Sequence, residues 1–420
     1  MDFDKEYLDF VKANAGEDPA RLRLRHHGDT RPWIRYAIDN ISALKKSRKF
    51  KLAEDSDLTP SVIPLEVSAQ QATSARIALL HANLARNASS VLDMTFGLGM
   101  DARMMAMDPT RRILGFDLRE ELVAAAKVNF LGFPNVEVRL GDSVEYLRGY
   151  DGPAYDLVFI DPARRGCEGQ RLYNLHDCQP DLIEILPLIQ RKSCRLMAKL
   201  SPMLDVTQTL RDLPGISQLH IVEEGNECKE LLAIVDFSKD AATAPVIVID
   251  RLVKGELRQF SFTLPEERAE CQDAEERRPL LDHMPEAGDC LFEPSAATMK
   301  AAPFNLLGRR FPVTALHPNT HLYLLSAATG DDQRQAAEDF PGTKYVIEQA
   351  LPFTSSNLKL MARSVDKADI VVRNLKGFTS DSLRKRLKIK PGGDLRLYAL
   401  TVASANGDTP MLLLVRPSGK

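Results

Sequence analysis

The sequence predicts an α/β protein: a mostly parallel, doubly wound sheet with a helical N-terminal region before it and an α+β part after it. Three observations predict this. Short apolar runs alternate with helical patterns from about residue 89 to 238, as in a sheet covered on both faces by helices. The first run leads into a glycine turn, Val91-Leu-Asp-Met-Thr-Phe-Gly-Leu-Gly-Met-Asp101. The fourth ends in an acidic-proline loop, Val158-Phe-Ile-Asp-Pro-Ala-Arg-Arg165.

The elements follow in order. Tyr7, Leu8, Phe10 and Val11 mark one apolar helical stripe, and Trp33, Ile34, Ala37, Ile38 and Ile41 mark a second. Ser68 to Leu84 reads as a third helix. Strands are expected at Ser90–Met94, Arg112–Asp117, Val136–Leu140, Leu157–Asp161, Arg195–Lys199, Gln218–Val222 and Leu231–Asp236. Glu120–Phe130 and Leu182–Gln190 read as helices between them. The last two strands are joined so briefly that they favour an antiparallel pair, because parallel neighbours need a long crossover. Ala244–Leu252 and Leu257–Leu264 read as a hairpin around Lys254-Gly255, and residues 265–289 as a charged linker or solvated helix. Beyond them, strands at Thr343–Ile347, Ile370–Arg373, Leu395–Ala403 and Met411–Arg416 mix with helical patterns at Thr354–Leu360 and Ser380–Leu387.

The 420 residues suffice for two or three domains. A net charge of −3 gives no global argument for nucleic-acid binding, so such an argument has to come from local patches. The six cysteines form no CxxC pair and no Cys/His ligand spacing, so no metal is expected and reduced thiols in a cytoplasmic protein are. Cys167, near the acidic-proline loop, is expected to be a bystander thiol. The acidic N-terminus carries no apolar signal region, and no stretch approaches the length needed to span a bilayer.

The strand ends carry the chemistry. Gly97 and Gly99 allow backbone to approach a ligand closely, and the following helix N-terminus offers free N–H groups. Asp93 can accept from an ammonium. Asp117, at the end of the second strand, sits where nucleotide-binding folds place an acid for ribose hydroxyls, with Leu118 next to it. Asp142 and Ser143 follow the third strand, where a carboxylate can accept from an adenine amine. A nicotinamide cofactor is the weaker alternative, since Gly97-Leu-Gly-Met-Asp-Ala102 lacks the third small residue of a dinucleotide fingerprint. Helix capping explains each acid alone but not all of them in register. S-adenosylmethionine is therefore the expected cofactor.

In order and chemistry the chain resembles the class I S-adenosylmethionine-dependent methyltransferases over about residues 70–238. The stretch from Thr95 to Ala102 resembles the loop of certain RNA guanine-N2 methyltransferases. The whole layout is similar to bacterial methyltransferases with a C-terminal THUMP-like domain. That resemblance implies a Rossmann-like methyltransferase sheet and five segments: a helical domain over 1–70, a methyltransferase domain over 71–240, a hairpin and charged linker over 241–289, a small ferredoxin-like piece over 290–335 and a THUMP-like α+β domain over 336–420. It implies cofactor contacts at Asp93, Thr95, Phe96, Gly97, Gly99, Asp117, Leu118, Asp142 and Ser143.

Asp161, Pro162 and Arg164 are the expected acceptor site. The lone pair of an exocyclic base amine is delocalised into its ring and is a poor nucleophile. A carboxylate and a loop carbonyl that accept from that amine hold it toward the methyl donor. Related amino-methyltransferases usually read Asn/Asp-Pro-Pro-aromatic here. Ala163 replaces the second proline and Arg164 the stacking aromatic, though an arginine plane can also stack on a base or pair with a phosphate. Covalent C5 chemistry is disfavoured because Lys199-Leu-Ser-Pro-Met203 holds no cysteine.

Two segments are basic. Arg21 to Lys51 has ten Lys/Arg, with Trp33 and Tyr36 interleaved, and Arg373 to Lys390 has seven. Such patches fit phosphate contacts, so RNA (tRNA or rRNA) is the expected partner and a base nitrogen the expected acceptor. The alternatives are a protein or small-molecule methyltransferase, or a non-catalytic RNA-binding protein of the same fold.

Overall fold

The computed structural model describes residues 3–45, 47–52, 57–164, 175–238, 243–269, 281, 283–404 and 407–418. The chain divides into two compact units. The first comprises Met1–Gly225 with Lys229–Pro245 and Leu252–Leu257, and the second is mainly Arg258–Lys420.

The first unit opens with helices α1 (Lys5–Ala13), α2 (Pro19–Arg25) and α3 (Ile34–Leu44). Tyr7, Leu22, Trp33, Ala37 and Ile41 bury one apolar face together. Asp4 caps α1 by accepting from Tyr7 N, and Asp18 caps α2 with proline at its first turn, where the missing N–H costs nothing.

The expected helix from Ser68 to Leu84 is two helices, α4 (Glu66–Gln71) and α5 (Ala75–Leu84). Ser74 causes the break. Its hydroxyl accepts from Ile77 N at 3.3 Å, and a serine placed there starts a helix rather than continuing one. The apolar periodicity runs through the break and hides it. Thr73 is thereby left in an extended turn facing the sheet.

The strands β1 (Ser90–Asp93), β2 (Arg112–Asp117), β3 (Val136–Leu140) and β4 (Leu157–Ile160) are parallel, joined by α6 (Met100–Met105), α7 (Glu120–Asn129) and α8 (Ser143–Gly149). After β4 come the short pair β5 (Ala163–Arg164) and β6 (Cys178–Gln179), then α9 (Leu182–Lys192), β7 (Arg195–Leu200) and α10 (Val206–Asp212). The last two expected strands, β8 (Ile216–Glu224) and β9 (Glu227–Asp236), are neighbours in the sheet, and β9 runs antiparallel to β7 on its other side. Across this unit the order is β8-β9-β7-β4-β1-β2-β3. Strand β4 is buried throughout, as a parallel strand covered on both faces must be.

The N-terminal helices are tied to the sheet layer through α7. Asn129 accepts from Val62 N at 2.9 Å and donates to Val62 O at 2.8 Å, replacing a backbone ladder with one amide.

The expected hairpin is β10 (Val246–Val253) and β11 (Glu256–Thr263). Lys254 and Gly255 both take positive φ, 51° and 91°, the mirror-image turn whose twist suits paired strands. In the second unit seven strands form one sheet: β12 (Cys290–Pro294), β13 (Thr314–Ala315), β14 (Tyr323–Leu325), β15 (Gly342–Pro352), β16 (Asp369–Arg373), β17 (Arg396–Ser404) and β18 (Gly407–Pro417). β15, β17 and β18 are its long antiparallel centre. Residues 270–280 and 282 of the charged linker lie outside the described residues.

Candidate active site

A cavity of about 1370 Å³ opens at the carboxyl ends of the parallel strands, the place where such sheets bind ligands. Asp93, Gly97, Gly99, Asp117, Leu118, Asp142, Ser143, Asp161 and Pro162 all line it.

The glycine turn is built by backbone and one ring. Gly97 and Gly99 take φ of +57° and +72°, which a side chain opposes. Phe96 turns its ring inward onto Phe130, with centroids 5.2 Å apart. A Cβ on Gly115 of β2 would stand 2.1 Å from that ring, and one on Gly99 would stand 2.5 Å from it. The Phe96 side chain is therefore core, and what it offers a ligand is backbone.

Asp117 holds the turn from the next strand: Gly97 N donates to its Oδ2 at 2.9 Å, and Arg119 N to its Oδ1 at 2.9 Å. Arg119 Nε also donates to Oδ1, at 3.2 Å, so Oδ2 is the oxygen that keeps a lone pair for a hydroxyl. Leu118 beside it is 65% exposed, an apolar surface next to Asp117. Asp142 caps α8 through Oδ1, accepting from Val144 N and Glu145 N. The capping reading is correct for that oxygen, and the residue still faces the cavity. Ser143 is buried, its hydroxyl donating to Met94 O at 2.9 Å, so it anchors the third loop to the first strand.

Asp93 is buried and accepts from Thr95 N at 3.1 Å. Burial pushes its carboxyl up to about 8; the Asp101 and Asp161 carboxylates add to the rise, and the Thr95 N–H and Lys199 oppose it. A buried carboxyl in this condition fits a cationic ligand group, because an ammonium would favour its charged form. The residues present thus fit an amino-acid nucleoside cofactor. Thr95 then reaches the acceptor loop, its Oγ1 accepting from Asp161 N at 2.7 Å.

The acceptor side holds residues that sequence reasoning missed. Lys199 Nζ lies 2.6 Å from Asp161 Oδ2 and 2.9 Å from Thr73 Oγ1, with Asp101 Oδ2 at 3.8 Å. Thr73 donates to Asp101 Oδ2 at 2.7 Å. Asp101 Oδ1 is 2.7 Å from His81 Nδ1, and Glu230 Oε1 is 2.6 Å from His81 Nε2. Both ring nitrogens face carboxylate oxygens, so both donate and the ring is an imidazolium. Burial alone would lower the proton affinity of His81; the Glu230 and Asp101 carboxylates outweigh it and hold the ring at about 9. In the same way, burial opposes the charge on Lys199, and Asp161 and Asp101 raise its ammonium well above the usual range. Asp101 is driven below the usual carboxylate range despite its burial, by Lys199 and His81. The only sequence signals were a lysine ending an apolar strand and a histidine on an apolar helix face.

Pro162 is buried behind Asp161, and Ala163 pairs with Gln179 across the short β5–β6 ladder. The backbone of Arg164 pairs with Cys178; its side chain, and the whole of Arg165 and Cys167, lie outside the described residues.

The basic segments are more neutral than their composition suggests. Arg23 pairs with Asp39, Arg25 with Glu17 and Arg31 with Asp29. Lys49 donates to Gln70 O and Ala72 O at the end of α4. Trp33 is 6% exposed within the helical core, which corrects its reading as an aromatic interleaved for nucleic-acid contact. In the second segment Arg384 pairs with Asp381 and Arg373 with Glu293. No helix among the described residues is long and apolar enough to cross a membrane.

Comparison with known proteins bears on the fold. A ferredoxin-like domain family matches residues 291–331, and a THUMP-like domain family matches residues 342–417. A crystal structure from Porphyromonas gingivalis W83, of a protein provisionally assigned as a methyltransferase, covers 100% of both chains at 29% identity and a TM-score of 0.80. A tRNA (guanine(10)-N2)-dimethyltransferase from Pyrococcus abyssi is 29% identical over 92 residues, 21% of this chain. An uncharacterized RNA methyltransferase from Halalkalibacterium halodurans is 28% identical over 110 residues, 25% of this chain. These matches span 27% and 24% of the relatives' own lengths. The protein is thus methyltransferase-like, with ferredoxin-like and THUMP-like C-terminal domains, and is distantly related to RNA methyltransferases.

Proposed function

We propose that the protein is an S-adenosylmethionine-dependent methyltransferase acting on a base nitrogen of structured RNA, either tRNA or rRNA. One observation carries the reading: Asp93, Asp117, Asp142 and Asp161, the acids at four successive parallel strand ends, line one cavity. Asp93 takes the amino-acid ammonium, Asp117 the ribose hydroxyls and Asp142 the adenine amine, while Leu118 covers a face of the base. When bound, the cofactor supplies an electrophilic methyl group on a sulfonium.

Asp161 and the Pro162 carbonyl accept from the base amine and hold its nitrogen in line with that methyl. With the methyl supplied from the sulfonium, which would leave as a neutral thioether, the proton of the methylated nitrogen would pass to solvent water. The THUMP-like domain and the distant tRNA methyltransferase relative support RNA as the acceptor.

The test is transfer of a tritiated methyl group into total RNA from a strain lacking the protein, followed by nucleoside digestion. A labelled base is the expected result, and Asp161→Ala abolishes it while sparing cofactor affinity. Cofactor binding without any label in RNA overturns the RNA assignment. RNA capture also weakens steeply between low and moderate salt, as phosphate contacts require.

A further inference from the structure

We propose that Lys199 is a positioning residue for the acceptor carboxylate, fixed in place by the buried chain Thr73–Asp101–His81–Glu230. This inference rests on the methyl-transfer reading and extends it to residues outside the acceptor loop.

The geometry carries the argument. The groups alternate in charge in the order Asp161, Lys199, Asp101, His81, Glu230, all but His81 lining the cavity, with consecutive contacts of 2.6, 3.8, 2.7 and 2.6 Å. Thr73 closes the one long step, accepting from Lys199 and donating to Asp101. Asp161 is the most exposed member, its side chain 47% exposed against 9% for Lys199, 12% for Asp101, 0% for His81 and 9% for Glu230. Buried ion pairs are seldom retained for stability alone, because well-packed apolar residues serve as well or better. A chain of this length that ends at the open carboxylate of the acceptor loop is accounted for by orienting that carboxylate.

The chemistry is consistent with this. Lys199 takes one oxygen of Asp161 and leaves the other to accept from an amine. Held in this way, Asp161 orients the amine. The anchor is remote in sequence. His81 comes from α5 and Thr73 from the turn before it, so the segment preceding the first strand completes the acceptor site.

The test uses the full chain as wild type, Lys199→Met and Lys199→Met/Asp161→Asn. Met fills the stem of the lysine without its charge and strands Asp161 as an unpaired carboxylate. Asn restores a neutral acceptor. Lys199→Met is expected to lower kcat about 100-fold, as a misplaced reacting group does, with KM and S-adenosylhomocysteine affinity unchanged. The double variant is expected to recover about ten-fold of that loss, the non-additivity of two contacting groups. A merely structural lysine predicts no such rescue, so a double variant no better than Lys199→Met overturns the inference, as does an unaltered kcat in Lys199→Met. If the wild type transfers no methyl to RNA, the RNA reading fails by itself. Crystal structures of wild type and Lys199→Met then decide the positioning claim. The Asp161 carboxylate is expected to swing away while its amide stays on Thr95; a carboxylate that has not moved overturns it.

Discussion

The Asp161 amide donates to Thr95 Oγ1 at 2.7 Å, so the glycine turn and the acceptor loop are fastened by one hydroxyl. Thr95→Val keeps the shape and removes that acceptor. It is expected to lower the methyl-transfer rate about 10- to 100-fold by loosening the reacting geometry, while Thr95→Ser restores it. Single-turnover rates at saturating cofactor make the comparison, and equal rates for Val and Thr would count against a coupling role.

Asp117 clamps Gly97 and is also the proposed ribose acid. Asp117→Ala is expected to weaken S-adenosylhomocysteine binding about 10- to 100-fold, the loss of hydrogen bonds to a charged group. Calorimetry checks it, and unchanged affinity removes Asp117 from the cofactor site.

Asp93 titrates within the working range. Burial holds its carboxyl at about 8, so below that pH the cofactor-free protein carries it largely protonated. An incoming ammonium favours the carboxylate, and binding then expels the proton. Cofactor affinity is expected to rise with pH from about 6 to 8, with proton release visible as a buffer-dependent calorimetric enthalpy. Asp93→Asn should show neither effect. Because a carboxyl raised from 3.8 to about 8 lets the unfolded chain ionise first, wild-type stability is expected to fall as pH rises from about 4 to 8, so without cofactor Asp93→Asn should gain on wild type through that window and keep its lead above it.

His81 also makes stability fall with pH, at a higher window. Its ring is raised from 6.5 to about 9, so its contribution to stability is complete below about 6.5 and fades as pH climbs through 9. The melting-temperature advantage of wild type over His81→Gln is expected to be largest near pH 6 and to shrink toward pH 9.5. An advantage that grows with pH would mean a neutral ring.

Strands β1, β2 and β4 were legible because each is a short apolar run closed by an acid, whereas β3 reads as an alternating strand, Val-Glu-Val-Arg-Leu. Arg112–Asp117 and Val136–Leu140 have the bounds their residues predict. The acids at the strand ends were legible for the same reason, since the turn that ends a buried strand carries the polar residues. The lysine–histidine chain was not. Its members lie at positions 73, 81, 101, 161, 199 and 230, and no local pattern links a helix residue to a strand 149 positions away. Thr73 was concealed further, because apolar spacing continues through the break between α4 and α5. Trp33 shows the converse: an aromatic among arginines suggested a nucleic-acid contact, yet its helix face was already committed to the core with Tyr7 and Ile41.

The wedge of Phe96 between the turn and Gly115 has a consequence for remodelling the protein. The ring is the shim that sets how high the glycine turn rides above the sheet. Trimming it to leucine would let the turn settle and deepen that end of the cavity. Any bulk added at position 115 would have to be removed from position 96. The depth of the pocket is thus adjustable from beneath, by a pair of residues whose side chains need not meet the ligand.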